Sequence, residues 1–307
     1  MRFLITGASG HLGSYLTKRL VEEGAAVFAL VRERSDLWRL AGVLSEIDVL
    51  RGDLANSSSL AGAIRDAAPD VVVHLAWHGV TSEYRNDREQ VSLNLTGSLE
   101  LFHTVQSAGC ACWIGVGTQA EYGPYTGVIT EDFATWPQTA YGLAKLCTGL
   151  LTRKLCELAG MRYVWLRLFA TYGPKDDERH LIPRVIKQLL SREAPPLTPG
   201  EQLWDYLYVE DAAEAIRLAA ITPQAHGIYN LGSGKAHEVR SIVERIRDLI
   251  DPSLPLGIGE LPYPLDQVMH LQADISALSA VTGWAPEFEL DEGLRSTVDW
   301  YRSAYAT

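Results

Sequence analysis

The sequence holds no apolar run near the ~18 residues that a membrane-spanning helix needs, so no contact with a membrane interior is expected. Basic residues are few. Lys and Arg number 27 against 38 Asp and Glu, a formal net charge of −11. That excludes a nucleic-acid surface, which requires a basic stripe. An anionic ligand would have to be met by local Arg or Lys against the global field. Cysteine is sparse. Cys110, Cys112, Cys147 and Cys156 show no paired metal-ligand spacing, and Cys110-Ala111-Cys112 is too tight for a zinc knuckle, so no metal is expected. That pair reads as the buried start of a strand, and free thiols fit a reducing cytoplasm. Internal repeats and low-complexity tracts are absent. Met1-Arg2 runs directly into an apolar stretch, which leaves no room for a signal peptide and makes a cytoplasmic location the expectation. The sequons at Asn56 and Asn94 then carry no meaning.

What is present, over 307 residues that are 47% hydrophobic, suffices for about two domains or one large α/β unit. The chain is organised around the stretch ITGASGHLG. Phe3-Leu4-Ile5 ends in Thr6, and Gly7, Gly10 and Gly13 follow at three-residue spacing. Leu12, Tyr15, Leu16, Leu20 and Val21 then share one helical face. Strand, glycine turn and helix in that order form the context of a dinucleotide fingerprint. Gly7 permits the tight turn, Gly10 lets a pyrophosphate approach the backbone, and Gly13 lets the helix pack close to the sheet. The helix start offers free N–H groups and partial positive charge to phosphate. Gly7, Ser9, Gly10, His11, Leu12 and Gly13 are therefore candidate cofactor residues.

Apolar runs at 25–31, 47–50, 71–75, 111–116 and 162–168 predict further strands. Helical patterns fill 57–67, 84–109 (with Val91, Leu95, Leu99 and Phe102 on a stripe) and 139–158. Ser35-Asp36 reads as a helix cap. Repeated βα units with strands apolar on both faces predict an α/β fold, a Rossmann-type doubly wound parallel sheet. Beyond residue 170, prolines break the pattern. Helices are expected near 181–191, 239–250 and 290–301, strands at 206–209 and 228–231, and a loop at 252–265. Residues 1–170 are read as a dinucleotide-binding domain to which 200–232 return in part. Residues 171–307 are read as a smaller, irregular, mainly substrate-binding domain.

An acidic residue ending the second strand would bond the adenine ribose and select NAD. Val31 stands there, followed by Arg32 and Arg34. Guanidinium groups suit a 2′-phosphate, so NADP(H) is expected, with NAD the alternative; solvated surface arginines would look the same. Asp53-Leu54 sits where a strand end meets the adenine. Tyr141 and Lys145 lie one helical turn apart. A phenol titrates near 10, and an adjacent ammonium is expected to acidify it, making a proton donor and acceptor suited to hydride transfer at a carbon–oxygen bond. Thr118, just past the fifth strand, can hydrogen-bond the reacting oxygen.

At these residues the chain resembles the extended short-chain dehydrogenase/reductases, the NAD(P)-dependent nucleotide-sugar epimerase/dehydratase group, nearly end to end. GASGHLG resembles its cofactor loop, Gly52-Asp53-Leu54 its adenine contact, and His74-Leu75-Ala76 the strand end beside the nicotinamide ribose. Asn94 resembles its buried asparagine. Thr118, Tyr141 and Lys145 match its catalytic Ser/Thr, Tyr and Lys. Arg167 to Pro174 resembles the RLFNxYGP turn; Tyr206 to Asp211 and Gly283-Trp284-Ala285-Pro286 resemble later motifs. There are departures. Ala170 replaces the usual Asn, Trp204-Asp205 replaces Arg-Asp, and the late loop carries Tyr263-Pro264-Leu265-Asp266 without the common arginine. Arg179, Arg184 and Lys187 are the candidate replacements for phosphate binding. His78, Gln119, Glu121 and His180 are pocket candidates, with surface or structural roles as the alternative. Gln119-Ala120 lacks the Asp-Glu pair of the 4,6-dehydratases, which argues against dehydration. The variants are similar to the deoxysugar 4-ketoreductases of the abequose-synthase type. The resemblance implies NADPH-dependent reduction of a nucleotide-linked 4-keto-6-deoxy sugar, with Tyr141 as proton donor. The alternatives are an NAD-dependent 4-epimerase and a non-catalytic sensor. It also implies a homodimer through the helices at 84–109 and 139–158.

Overall fold

The computed structural model describes residues 1–264 and 267–305. Its central sheet has seven strands, all parallel. Strand β1 (Arg2–Thr6) pairs on one side with β2 (Ala26–Val31), which pairs with β3 (Asp48–Arg51). On the other side follow β4 (Val71–His74), β5 (Cys112–Thr118), Arg162–Leu168 and Gly227–Leu231. The direction of winding reverses between β1 and β4. In such sheets the crevice outside the carboxyl ends at that point receives the ligand.

These strands are apolar without alternation because helices cover both faces. Successive side chains point to opposite faces. Phe3 and Ile5 enter one core and Leu4 the other; Val71 and Val73 oppose Val72; Cys112, Ile114 and Val116 oppose Trp113. Helix α1 (His11–Glu22) covers the first face through Leu16 and Leu20. Helices α2 (Ala61–Ala67), α3 (Thr96–Ser107) and α4 (Ala140–Ala159) cover the second through Ile64, Phe102 and Cys156. After α5 (Leu181–Leu190), α6 (Val209–Ile221) returns to the first face beside α1. Helix α7 (Val239–Ile250) and, after the short α8 (Ser276–Thr282), α9 (Leu290–Tyr305) join α5 in a separate core with Tyr172 and Tyr208. A second sheet runs Ala236–Glu238, Leu203–Tyr208, His270–Ala273, Gly127–Ile129, and Ala170–Tyr172 pairs with Leu203–Tyr208.

Several elements differ from the sequence reading. The stretch 84–109 is not one α-helix. It opens as a π-turn, Gln90–Leu95, before α3. Val91, expected on the core stripe, is 52% exposed because Gln90 and Asn94 take the inward positions. The stretch 57–67 splits into a 3₁₀ segment, Leu54–Leu60, kinked at Asn56, and α2. Asp36 is not a helix cap; it accepts from Trp38 N just before a short 3₁₀ turn whose N-cap is Leu37. Within 252–265, Gly257–Ile258 forms a small ladder with Pro196–Leu197. Leu265 and Asp266 lie outside the described residues. Among the described residues, no helix is long and apolar enough to cross a membrane.

Candidate active site

Gly7 leaves β1 with φ +72°, and a Cβ there would stand 2.8 Å from Ala76 N. A Cβ on Gly13 would stand 2.2 Å from Gly7 O. Both distances are far below van der Waals contact, so glycine alone lets turn, helix and the loop after β4 close up. Outside this turn lies a cleft of about 550 Å³. Gly7, Ser9 and Gly10 form one part of its wall, and Arg32, Asp53 and Leu54 another. Leu75, Ala76, His78, Asn94 and Arg179 complete the set of sequence candidates it gathers. Glycine walls and the start of α1 at the carboxyl edge of the sheet fit a dinucleotide.

His11 and Leu12 sit at that helix start, but their side chains turn elsewhere. His11 reaches Pro174 O at 3.1 Å and Asp176 at 3.2 Å, and Leu12 packs on the core. Arg34, in the turn after β2, is exposed and is not on the cleft wall, whereas Arg32 is. Arg51, not singled out from the sequence, holds that turn by donating to Arg32 O and Glu33 O.

The loop after β4 is held by a buried polar chain. Thr6 Oγ1 accepts from Leu75 N and Ala76 N, and so donates to His74 Nδ1 at 2.8 Å. His74 Nε2 then donates to Ser98 Oγ at 2.8 Å, which donates to Asn94 O. Burial keeps His74 neutral and takes it down to about 3. Asn94 accepts from His78 N and donates to His78 O and Gln90 Oε1. Its amide is engaged with the loop, and Asn94 stands on the cleft wall as well. Gln90 Oε1 also accepts from Trp77 Nε1 at 2.8 Å.

Thr118, Tyr141 and Lys145 meet beside this loop. Thr139 caps α4 by accepting from Gly142 N, and Tyr141 N donates to Arg85 O. Lys145 Nζ donates to Val116 O on β5 at 2.7 Å. Thr118 stands close enough to the half-buried Tyr141 to pull its phenol's titration down. Trp77 faces both: its ring lies 3.9 Å from Lys145 Nζ and stands edge-on to Tyr141, centroids 6.3 Å apart. Burial pulls Lys145 down from 10.5 to about 7, with Glu121 pulling the other way. Burial also raises Tyr141, against smaller downward pulls from Thr118 and Arg85. This corrects the expectation that Lys145 acidifies the phenol. Among protein groups, desolvation outweighs the charges, and the phenol stays protonated at neutral pH.

Under Thr118 lies a fully buried ion pair. Glu121 accepts from Arg167 Nε at 2.9 Å, Trp165 Nε1 at 3.0 Å and Thr118 N at 2.9 Å. Glu121, a pocket candidate from the sequence, is thus the anchor of Thr118. The signal was present in the spacing: Thr118 and Glu121 form a capping box.

Other candidates disperse. Gln119 is half-buried in the turn after β5 and outside the cleft wall. Arg179 reaches the cleft but pairs with Asp177 at 2.7 Å and Glu83 at 3.2 Å. His180 pairs with Asp176 at 3.0 Å, and Lys187 with Glu178. Arg184, on α5, lines a separate cavity of about 150 Å³ with Leu197, Gln202 and Arg240. Asp205, where the arginine is missing beside it, accepts from Ser233, Gly234 and Ala273 and so ties the second sheet together. Asp211 and Trp284 bring two late motifs together: Trp284 Nε1 donates to Asp211 O, and Asp211 accepts from Glu287 N and Phe288 N.

Comparison with known proteins agrees with this fold. A UDP-glucose 4-epimerase of Azospirillum brasilense is 29% identical, covering 98% of this chain and 92% of that protein. A dTDP-glucose 4,6-dehydratase of Xanthomonas campestris pv. campestris is 26% identical over 97% of this chain and 92% of that protein. Among solved structures, the Thermus thermophilus UDP-glucose 4-epimerase in complex with NAD superposes with a TM-score of 0.89. It is 25% identical, with 99% of this chain and 100% of that one covered. The UDP-N-acetylglucosamine 4-epimerase from Methanobrevibacter ruminantium gives 0.90 at 26% identity, covering 99% and 98%. The family model described as "NAD dependent epimerase/dehydratase family" matches residues 3–232, well over half of the sequence, and the chain belongs to that family of enzymes.

Proposed function

We propose that this enzyme reduces the 4-keto group of a nucleotide-linked 6-deoxy sugar, with NADPH as the reductant. The observation that carries the reading is the meeting of Thr118, Tyr141 and Lys145 at the sheet edge, beside the glycine-walled cleft. A nicotinamide dinucleotide bound there supplies hydride to the carbonyl carbon. The Tyr141 hydroxyl gives its proton to the carbonyl oxygen, a role that a phenol kept protonated by burial suits. The Thr118 hydroxyl orients that oxygen. Lys145, brought near neutrality, holds a proton one turn from the phenol and anchors the ribose.

Arg32 on the cleft wall, after Val31 in place of a carboxylate, supports NADPH over NADH. Gln119 and Ala120 bring no carboxyl, and Glu121 is committed to Arg167 and Trp165, so elimination of water lacks its acid/base pair. The second reading is a 4-epimerase, favoured by the relatives of that activity. We also infer a homodimer through α4, whose Leu143, Leu150, Leu151 and Leu158 are exposed.

The test is a thermal-shift and turnover screen of nucleotide sugars with NADPH and NADH. Stoichiometric NADPH oxidation with a 4-keto sugar is expected. NAD⁺ released on denaturation, with sugar interconversion and no net NADPH use, would instead establish the epimerase. Tyr141→Phe should lower turnover by about 10²-fold or more and spare cofactor binding. Wild-type turnover in that variant would remove Tyr141 from its role.

A further inference from the structure

Lys145 makes no ion pair within 4 Å among the described residues, although it is buried. Its Nζ has one hydrogen bond, to Val116 O at 2.7 Å. The Trp77 ring faces the same nitrogen, with its centroid 3.9 Å away. That ring is itself fixed. Its Nε1–H donates to Gln90 Oε1, and the Gln90 amide nitrogen donates to Gly79 O at 2.8 Å and Tyr84 O at 3.0 Å. Gln90 is fully buried and stands on the π-turn. Such turns recur at functional sites because they redirect side chains without ending the helix.

We propose that Trp77 is a positioning residue for Lys145: its π face holds the ammonium against Val116 O and shields the Tyr141–Lys145 pair from water, while Gln90 sets the ring's angle. The proposal rests on the reading of Lys145 as a working residue, given above. The physical reason is selectivity of the contact. An aromatic face attracts the cation and is indifferent to the neutral amine. The other groups facing Lys145 are few. Glu121, from the turn after β5, attracts it at a distance while paired with Arg167. His74, on β4, is neutral. Tyr141, on the same helix, is an uncharged phenol. Among the described residues no carboxylate is in contact, so the ring face and Val116 O are the near attractions for the charged form.

The test separates the ring's face from its bulk. Trp77→Leu keeps the site apolar and removes the face; Trp77→Phe keeps a weaker face and loses the N–H. The chain has six lysines, so ¹³Cε-lysine NMR of the full-length protein resolves Lys145, assigned with Lys145→Met. Trp77→Leu should move the Lys145 titration down by about one pH unit, with Trp77→Phe between it and the wild type. The alkaline limb of kcat should move with it, while KM for the sugar changes little. Should Trp77→Leu fail to fold, Trp77→Phe and Gln90→Leu must still lower the titration. Coincident titration curves in wild type and folded variants would overturn the proposal. Because the titration is read without turnover, loss of this proposal and loss of the assigned reaction are distinct results.

Discussion

Replacing Glu121 by glutamine tests how Thr118 is held. Glu121 is fully buried, and its carboxylate takes hydrogen bonds from Thr118 N, Trp165 Nε1 and Arg167 Nε. Arg167 is itself only 4% exposed. Glutamine keeps one oxygen, turns the other into a donor and removes the charge. The guanidinium is then buried without compensation, a change that costs about 3–5 kcal/mol in comparable pairs. One of the three donors also faces an N–H₂ group. Against a total stability of roughly 5–15 kcal/mol, such a loss is large but survivable. For a chain of this length it corresponds to a fall in Tm of roughly 6 °C. Urea unfolding and calorimetry measure it. The double variant Glu121→Leu with Arg167→Met separates fold from function. An apolar pair should recover most of the stability, yet Thr118 N keeps no acceptor and turnover should stay low. A Glu121→Gln protein within about 1 kcal/mol of wild type, with unchanged kcat, would refute the claim that this pair positions Thr118.

Gly13→Ala forces a Cβ to within 2.2 Å of Gly7 O, a main-chain atom that cannot yield without moving α1; it should cost about 1–3 kcal/mol and weaken dinucleotide binding at least about tenfold, read by fluorescence titration. Below pH 6.5 the unfolded chain takes up a proton at His74 that the folded chain, at about 3, refuses. Stability should therefore fall with falling pH from 6.5 towards 3, by up to about 1.4 kcal/mol per unit, and His74→Asn should flatten that slope in urea midpoints. Lys145 gives a slope of the same sign at higher pH. Its folded value of about 7 lies below its ordinary 10.5, so the unfolded chain holds more protons between them and stability should rise across that range; Lys145→Met should abolish the rise.

The strands were legible because burial on both faces leaves an uninterrupted apolar run, a property of the residues themselves. The glycine turn was legible because backbone approaches at Gly7 and Gly13 leave no room for a Cβ, Tyr141 and Lys145 because their spacing is local, and Thr118 because it ends a strand. What was not legible depends on distance along the chain. Thr6 and His74 are 68 residues apart, and Glu121 and Arg167 are 46 apart. Nothing near either member announces its partner. Gln90 and Asn94 sit where the apolar stripe was counted through Val91, because a π-turn changes the phase that periodicity assumes. The sign of the Tyr141 shift shows the deepest limit. Spacing puts an ammonium one turn away, which argues for phenolate; burial, which spacing does not report, argues for phenol and prevails. Burial also halves the argument from Lys145, whose own charge is marginal at neutral pH. A protonated phenol beside a lysine near its midpoint can give a proton and have it replaced. In the protein's own field the pair can protonate an oxygen, which is the step that the proposed reduction asks of it.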